Sequence, residues 1–184
     1  MVARIDTWKG QDLLLRAFAR AFPSGSTRLV LAGSADFGHD AYLESLRSLA
    51  AQLDIASRVD FLGHVTDVPS LIASWDLCVQ SSIRPEPLGQ NVLQYLAAGK
   101  PAIVTDQGGP SEWVRDGWNG WTFEMGSVDA LSDALTAARD PKLRRHVAAN
   151  AARTPNLLTD RQVTDAHGDV FEAVHRAATR RTER

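Results

Sequence analysis

The sequence predicts a single doubly wound α/β domain, with a parallel sheet of about six strands and helices on both faces. Along the 184 residues, short continuous apolar runs alternate with segments of helical period. Continuous apolar runs are typical of strands buried on both faces, and their alternation with helices predicts right-handed βαβ crossovers. No linker, low-complexity tract or internal repeat interrupts this pattern, so one core is expected.

Six segments are predicted as strands. The first, "MVARI" (1–5), is short beside the five or six residues that are usual for a strand. Either this strand is short, or the chain was cut from a longer protein just before it. The other five strands are predicted at 28–33, 58–63, 76–82, 101–106 and 120–124.

Helices are predicted between and after these strands. In the first of them, 11–22, the side chains of Leu14, Ala17, Phe18 and Ala21 fall on one stripe. Such a stripe is typical of a helix that packs against a core. The remaining helices are predicted at 40–53, 68–75, 89–99, 110–115, 127–138, 141–152 and 160–179.

Composition excludes several classes of protein. Apolar residues make up 44% and charged residues 23%, as in soluble globular domains. A formal charge of −2 argues against a nucleic-acid partner, which needs a basic face. The single Cys78 cannot form an internal disulfide, and neither a signal peptide nor a membrane-length apolar run is present. We therefore expect a cytoplasmic protein.

Polar residues and glycines follow the predicted strand ends, and in parallel sheets ligands bind beyond those ends. They are Arg4, Lys9, Gly10, Gly33, Ser34, Gly63, His64, Ser81, Ser82, Glu86, Asp106, Gly108 and Gly109. Gly89 opens a helix whose first amides, from Leu88 to Gln90, have no partner within the helix and favour a phosphate. With the cations Arg4 and Lys9, they predict a diphosphate site. Taken singly, each of these cations is also consistent with an ordinary surface charge. His64 is likewise consistent with a structural or exposed histidine that contacts no ligand.

Six blocks carry a resemblance to a known family. In chain order they are "VARIDTWKG", "LVLAG", "RVDFLGHV", "SWDLCVQSS", "PEPLG" and "YLAAGKPAIVTDQGGPSEWVRDGWNGWTF". Over nearly its whole length the chain resembles the C-terminal, donor-binding domain of retaining family 4 glycosyltransferases. The resemblance implies a Rossmann-like domain over 1–184, one half of a GT-B fold, with C-terminal helices from about 127. It also implies that the N-terminal acceptor domain is absent.

The resemblance implies roles for particular residues. Arg4 and Lys9 match the family's cations that bind the donor diphosphate and stabilise the leaving group. Glu86 matches the first acid of the family's E-x7-E motif, which contacts hydroxyls of the donor sugar. The remaining donor-binding residues that it implies are Gly33, Gly63, His64, Val65, Pro87, Leu88, Gly89, Gln90 and Gln94. No metal and no cofactor are expected, and the substrate is a nucleotide-diphosphate-sugar such as a UDP- or GDP-sugar.

Gln94 stands where the motif has its second acid. In the family that carboxylate accepts hydrogen bonds from both ribose hydroxyls. The amide keeps one oxygen acceptor but loses the charge. We expect this to cost about 1–2 kcal/mol of donor binding, or about tenfold in affinity.

The resulting expectation is the donor-binding half of a retaining, metal-independent hexosyltransferase, inactive without an N-terminal Rossmann-like partner. Membrane association would come only through that partner. A non-catalytic nucleotide-binding or interaction module derived from this fold is the main alternative. A sugar-nucleotide epimerase fragment also fits the fold. An NAD(P)-dependent oxidoreductase is disfavoured, because "RIDTWKG" stands where a G-x-G-x-x-G turn is expected.

Overall fold

A computed structural model describes residues 1–36 and 38–182, without the side chains of 180–182. It divides into two compact units, Met1–Thr154 and Pro155–Arg184. The first unit contains all of the described strands and seven α-helices, and the second contains one long helix. Everything that bears on the predicted site lies in the first unit.

The described residues contain five strands, and every pairing between them is parallel. They are β1 (Leu29–Ala32), β2 (Val59–Gly63), β3 (Cys78–Gln80), β4 (Ala102–Thr105) and β5 (Gly120–Phe123). β1 pairs with β2, and a second sheet has the order β3-β4-β5. The parallel α/β architecture is therefore confirmed, with five strands in two sheets instead of about six in one.

The segment 1–5 differs from its prediction as a strand, because only Val2 bridges to Ala32. On the β1 side the backbone ladder exists: Ala3 N–H donates to Ala32 O at 2.9 Å. On the other side, Val2 N–H donates to the hydroxyl of Tyr95 at 2.7 Å, and Val2 O accepts from Asn91 Nδ2 at 3.0 Å. Side chains therefore use the main-chain groups of Val2 that a second strand would need.

The helices confirm the predicted positions to within a few residues. In chain order they are α1 (Gln11–Ala21), α2 (Asp40–Gln52), α3 (Val68–Ala73), α4 (Gln90–Ala97), α5 (Gly109–Trp113), α6 (Val128–Ala137), α7 (Pro141–Ala151) and α8 (Asp160–Thr182). Asp67, Ser127 and Asp140 each accept a hydrogen bond from a first-turn amide. These residue types are the usual N-caps, which explains where α3, α6 and α7 begin.

Helices cover both faces of the β3-β4-β5 sheet. On one face, Val79 and Ile103 belong to the hydrophobic core that includes Leu14 of α1 and Leu131 of α6. Side chains alternate along a strand, so Cys78 and Gln80 point to the opposite face. The buried side chains of α4 are Val92, Tyr95 and Leu96. This packing fixes the carboxyl ends of the strands, from which the predicted site residues extend.

The second unit consists of 155–159 and the helix α8. Its exposed large apolar side chains, among the described residues, are Leu158, Val163, Val170, Phe171 and Val174. Of the helices in the described part of the chain, none combines the length and the hydropathy that a membrane crossing requires.

Candidate functional site

The turn that carries Lys9 is held against the end of β3. Residues Thr7–Lys9 form one turn of 3-10 helix, and Ile83 N–H donates to Trp8 O at 2.8 Å. The hydroxyl of Ser81 lies 3.0 Å from Gly10 O and 3.2 Å from Lys9 O. These contacts direct the Lys9 side chain to the carboxyl edge of the sheet.

Lys9 and Glu86 form a largely buried ion pair. Lys9 Nζ lies 2.5 Å from Glu86 Oε1, and the two side chains are only 15% and 11% exposed. The hydroxyl of Ser82 donates to the same Oε1 at 2.7 Å. Lys9 Nζ also lies 3.8 Å from the centroid of the Trp8 ring. Because an unpaired buried charge is costly, this contact allows both ionised groups to remain in the site.

The loop before α4 is fixed by backbone contacts with the loop after β4. Glu86 forms a parallel bridge with Gly108, and Gly109 N–H donates to Glu86 O at 2.8 Å. Gly89 caps α4 with a φ of 70°, and a Cβ there would lie 2.5 Å from Pro110 Cγ. Only glycine fits this position. The first amides of α4 therefore lie in the loop that also carries Glu86, and Pro87 and Leu88 are exposed there.

Four of the predicted residues line a second part of the site. A cavity of about 260 Å³ is formed by Val2, Ala3, Arg4, Ala32, Gly33, Ser34, Asp36, His64, Val65 and Val68. Gly33 N–H donates to Gly63 O at 2.8 Å, which joins the ends of β1 and β2 beside the cavity. A Cβ on Gly33 would lie 1.9 Å from Ala3 O, so a side chain cannot be placed there.

Arg4 lies at this cavity with a half-exposed side chain. Its Nη2 is 3.8 Å from Asp6 Oδ2, and the side chain is 48% exposed. His39 Nε2 lies 3.7 Å from the same Asp6 oxygen. The backbone of Arg4 is held by Gln11, whose Nε2 donates to Arg4 O at 2.7 Å.

The structure thus arranges the predicted residues in two groups at the same edge. Lys9 and Glu86 are in contact beside the start of α4, whereas Arg4, Gly33, His64 and Val65 line the 260 Å³ cavity. Arg4 and Lys9 extend from one segment, five positions apart.

Gln90 and Gln94 lie one turn apart on α4, and both are exposed. The next positions along the helix, Asn91 and Tyr95, contact Val2 instead. Gln94 is not part of the cavity lining, so its predicted role towards a ribose stays a prediction.

A larger cavity, of about 680 Å³, lies at the opposite ends of β1 and β3. Phe18, Arg28, Trp75 and Leu135 are among the residues that line it, and none of the predicted site residues does. Since parallel sheets bind ligands at the carboxyl ends of their strands, we place the candidate site at the smaller cavity and the Lys9–Glu86 pair.

Two contacts in the site concern residues to which the sequence assigned no binding role. Ser82 was expected at this edge, but its hydrogen bond to Glu86 was not predicted. Trp8 precedes Lys9 directly and packs under its ammonium group. For the contact between Ser82 and Glu86, the signal that the sequence offers is the Ser-x3-Glu spacing.

Among the described residues, no three His, Cys, Asp or Glu side chains are grouped as metal ligands would be.

Residues 1–154 match the family model of the glycosyl transferases group 1. The chain belongs to this family. The putative glycosyltransferase EpsD of Bacillus subtilis is 33% identical over 175 residues, which are 93% of this chain and 44% of EpsD. This membership confirms the resemblance on which the sequence-based prediction depended.

Solved structures share the fold of this chain. Anabaena HepE in complex with UDP-glucose has a TM-score of 0.81 and 29% identity, covering 91% of this chain and 47% of HepE. The C-terminal domain of LpcC, a group 1 glycosyl transferase from Francisella tularensis, has a TM-score of 0.74 and 25% identity over 83% of this chain and 81% of that domain. The chain therefore spans about half the length of EpsD and HepE.

Proposed function

We propose that this chain binds the donor substrate, a nucleotide-diphosphate-sugar, for a retaining and metal-independent glycosyltransferase. The observation that carries the proposal is the buried contact between Lys9 and Glu86 beside the first amides of α4. A cation suited to phosphate and an acceptor suited to sugar hydroxyls thus lie side by side, which supports the proposal. The similarity to HepE, whose structure contains UDP-glucose, supports a donor of the UDP-sugar class, and a GDP-sugar has the same diphosphate.

The diphosphate is assigned to Lys9, Arg4 and the start of α4. Both side chains carry a fixed positive charge, and the helix start adds unpaired N–H groups and the positive end of its dipole. Each charge-assisted hydrogen bond to phosphate contributes about 1.5–3 kcal/mol. The same groups stabilise the charge that develops on the leaving diphosphate, which is how they accelerate transfer.

The sugar and the nucleoside are assigned to the two sides of the diphosphate. Glu86 accepts hydrogen bonds from sugar hydroxyls, because an ionised carboxylate offers only acceptors. Backbone groups of Leu88, Gly89 and Gln90 hold sugar or phosphate oxygens. The nucleoside is assigned to the cavity lined by Gly33, His64 and Val65, next to Gly63.

In the proposed reaction the acceptor hydroxyl attacks the front face of the donor sugar. A bond forms between the acceptor oxygen and the anomeric carbon, and the bond from that carbon to the phosphate oxygen breaks. The leaving phosphate takes the hydroxyl proton, so the step needs no metal and no protein base. The acceptor site is assigned to an N-terminal Rossmann-like domain or subunit, in the half of the relatives that this chain does not match. We therefore expect donor binding without turnover from this chain alone.

Isothermal titration calorimetry with UDP, UDP-glucose, GDP and GDP-mannose tests the proposal. We expect at least one nucleotide to bind, and Lys9→Met to weaken that binding at least about tenfold through the lost charged contact. Lys142→Met is the matched control, because Lys142 is an exposed lysine on α7. Absence of binding by the wild-type chain at millimolar concentrations of all four ligands would overturn the proposal.

A further inference from the structure

Ser82 is buried in the site without a role in the reaction as proposed so far. Ser82 is 0% exposed, and its hydroxyl lies 2.7 Å from Glu86 Oε1. Since an ionised carboxylate can only accept, the hydroxyl must be the donor in this contact. The position of the carboxylate is therefore coupled to a side chain that follows β3 directly.

Both donors reach the same oxygen of Glu86. Lys9 Nζ and Ser82 Oγ each contact Oε1, at 2.5 and 2.7 Å. Within the described residues, Oε2 has no hydrogen bond, and 11% of the side chain remains exposed. The carboxylate is thus held through one oxygen, and the other oxygen keeps its acceptor capacity for a ligand.

We propose that Ser82 is a positioning residue, which holds Oε1 of Glu86 against Lys9 so that Oε2 is directed at the donor sugar. This inference rests on the proposed function. With Ser82, the carboxylate has two fixed donors, which restrict its rotation about the terminal torsion of the glutamate. Without Ser82, the contact with Lys9 alone leaves that torsion broad, as terminal carboxylate torsions usually are. The ligand contact of Oε2 is then no longer preorganised.

The proposal predicts an effect that depends on the sugar. A nucleoside diphosphate lacks the transferred donor sugar and does not contact Oε2, so its binding depends on Lys9, Arg4 and the α4 amides. A sugar nucleotide needs all of these contacts together with Glu86. Loss of the Ser82 hydroxyl should therefore weaken binding of the sugar nucleotide and leave binding of the nucleoside diphosphate unchanged.

Calorimetry on Ser82→Ala tests this with the ligand pair that the wild-type chain binds, either UDP and UDP-glucose or GDP and GDP-mannose. We expect the Kd of the sugar nucleotide to rise about tenfold and that of the diphosphate to stay within about twofold. Thr105→Val is the matched control, because it also removes a buried hydroxyl at a strand end, where Thr105 contacts Gln107. An equal rise in Kd for both ligands, or no rise in Kd for either, would overturn the positioning role.

A second measurement does not depend on any nucleotide. The chain has three lysines, Lys9, Lys100 and Lys142, so their ammonium signals in a nitrogen-15 spectrum can be assigned with one variant each. Lys9 should give a slowly exchanging signal, because its ammonium group is largely buried and hydrogen-bonded. We expect Ser82→Ala to broaden or shift this signal and Thr105→Val to leave it unchanged.

The two measurements separate the inference from the proposed function. If the wild-type chain binds none of the nucleotides, the proposed function is wrong, and the Lys9 signal alone decides whether Ser82 positions the pair. A Lys9 signal that is identical in the wild type and in Ser82→Ala would contradict the positioning role, whatever the chain binds.

Discussion

The amide of Val2 donates a 2.7 Å hydrogen bond to the phenol oxygen of Tyr95, across 93 positions of the chain. Tyr95 is 0% exposed, and burial raises the pKa of its hydroxyl far above the usual value. The Asn91 amide lies 3.4 Å from the same oxygen. One neutral hydroxyl of α4 thus accepts from the main chain two residues before Arg4, and links the helix of the candidate site to the segment that carries its cations.

Tyr95→Phe should destabilise the fold. The variant removes the acceptor for Val2 N–H while keeping the ring, which leaves a main-chain donor without its partner. We expect the free energy of unfolding, measured in urea, to fall by about 1–3 kcal/mol. Tyr42→Phe is the control, because the Tyr42 hydroxyl contacts Asp12 from a partly exposed position. An equal loss of unfolding free energy in both variants would show that the hydrogen bond from Val2 contributes no more to stability than the contact between Tyr42 and Asp12.

The same contact explains where prediction from the sequence stopped. The strands β1 to β5 could be predicted because each lies in a short, mostly apolar segment of the sequence. Of these, β2 contains Asp60 and is buried only in part, unlike the strand buried on both faces that the sequence predicted. The segment 1–5 has a similar pattern, but its outcome depends on Asn91 and Tyr95, which are distant in sequence. Local periodicity carries no information about such partners.

In the candidate site, too, local sequence predicted some features, whereas others depend on residues that are distant in sequence. The resemblance picked out Lys9 and Glu86 in two separate sequence blocks, and the structure brings them into contact. The convergence of Lys9 and Ser82 on one oxygen of Glu86 depends on side-chain rotamers, which a motif does not contain. Gly89 could be predicted as the start of α4, whereas its close approach to Pro110 required the packing of α5.

Gly89→Ala should disturb the loop that holds Glu86. A left-handed conformation costs a non-glycine residue about 1–2 kcal/mol, and the added Cβ would also lie 2.5 Å from Pro110 Cγ. Gly117→Ala is a close control, since both glycines have a φ of 70° and no atom lies within 4 Å of a Cβ at Gly117. We expect urea unfolding to show a larger loss of stability for Gly89→Ala. Equal losses would mean that the clash with Pro110 is relieved at no cost.

Cys78 should be unreactive in the native protein. Burial raises the pKa of its thiol to about 12, so almost no thiolate, the reactive form, exists at pH 8. We expect no reaction with Ellman's reagent at that pH in native buffer, and one thiol per chain in urea. Rapid reaction of the native protein would show that β3 opens easily to solvent.

The same shift predicts how stability depends on pH. The folded pKa of Cys78 is raised above the unfolded value of about 8.5. The stabilisation that this pKa difference gives the folded state is therefore fully present below about pH 8.5. It is lost as the pH rises towards about 12, because the unfolded chain releases the thiol proton first. Cys78→Ala should remove this part of the decline in unfolding free energy between pH 8.5 and 10. An unchanged slope in the variant would contradict the assignment.

Gln94→Glu distinguishes a donor site that is still in use from one that has been given up. Gln94 is exposed on α4, four residues after Gln90, and the variant restores the acid of the E-x7-E motif. If the side chain contacts the ribose hydroxyls, the added charge should strengthen nucleotide binding about tenfold, measured by calorimetry. Gln52→Glu, on an exposed face of α2, controls for the change in net charge. We expect the gain only in Gln94→Glu, because the proposed donor site brings only position 94 into contact with a ligand hydroxyl. Equal affinity in the wild type and in Gln94→Glu would instead favour a non-catalytic nucleotide-binding module, in which the ribose contact no longer contributes.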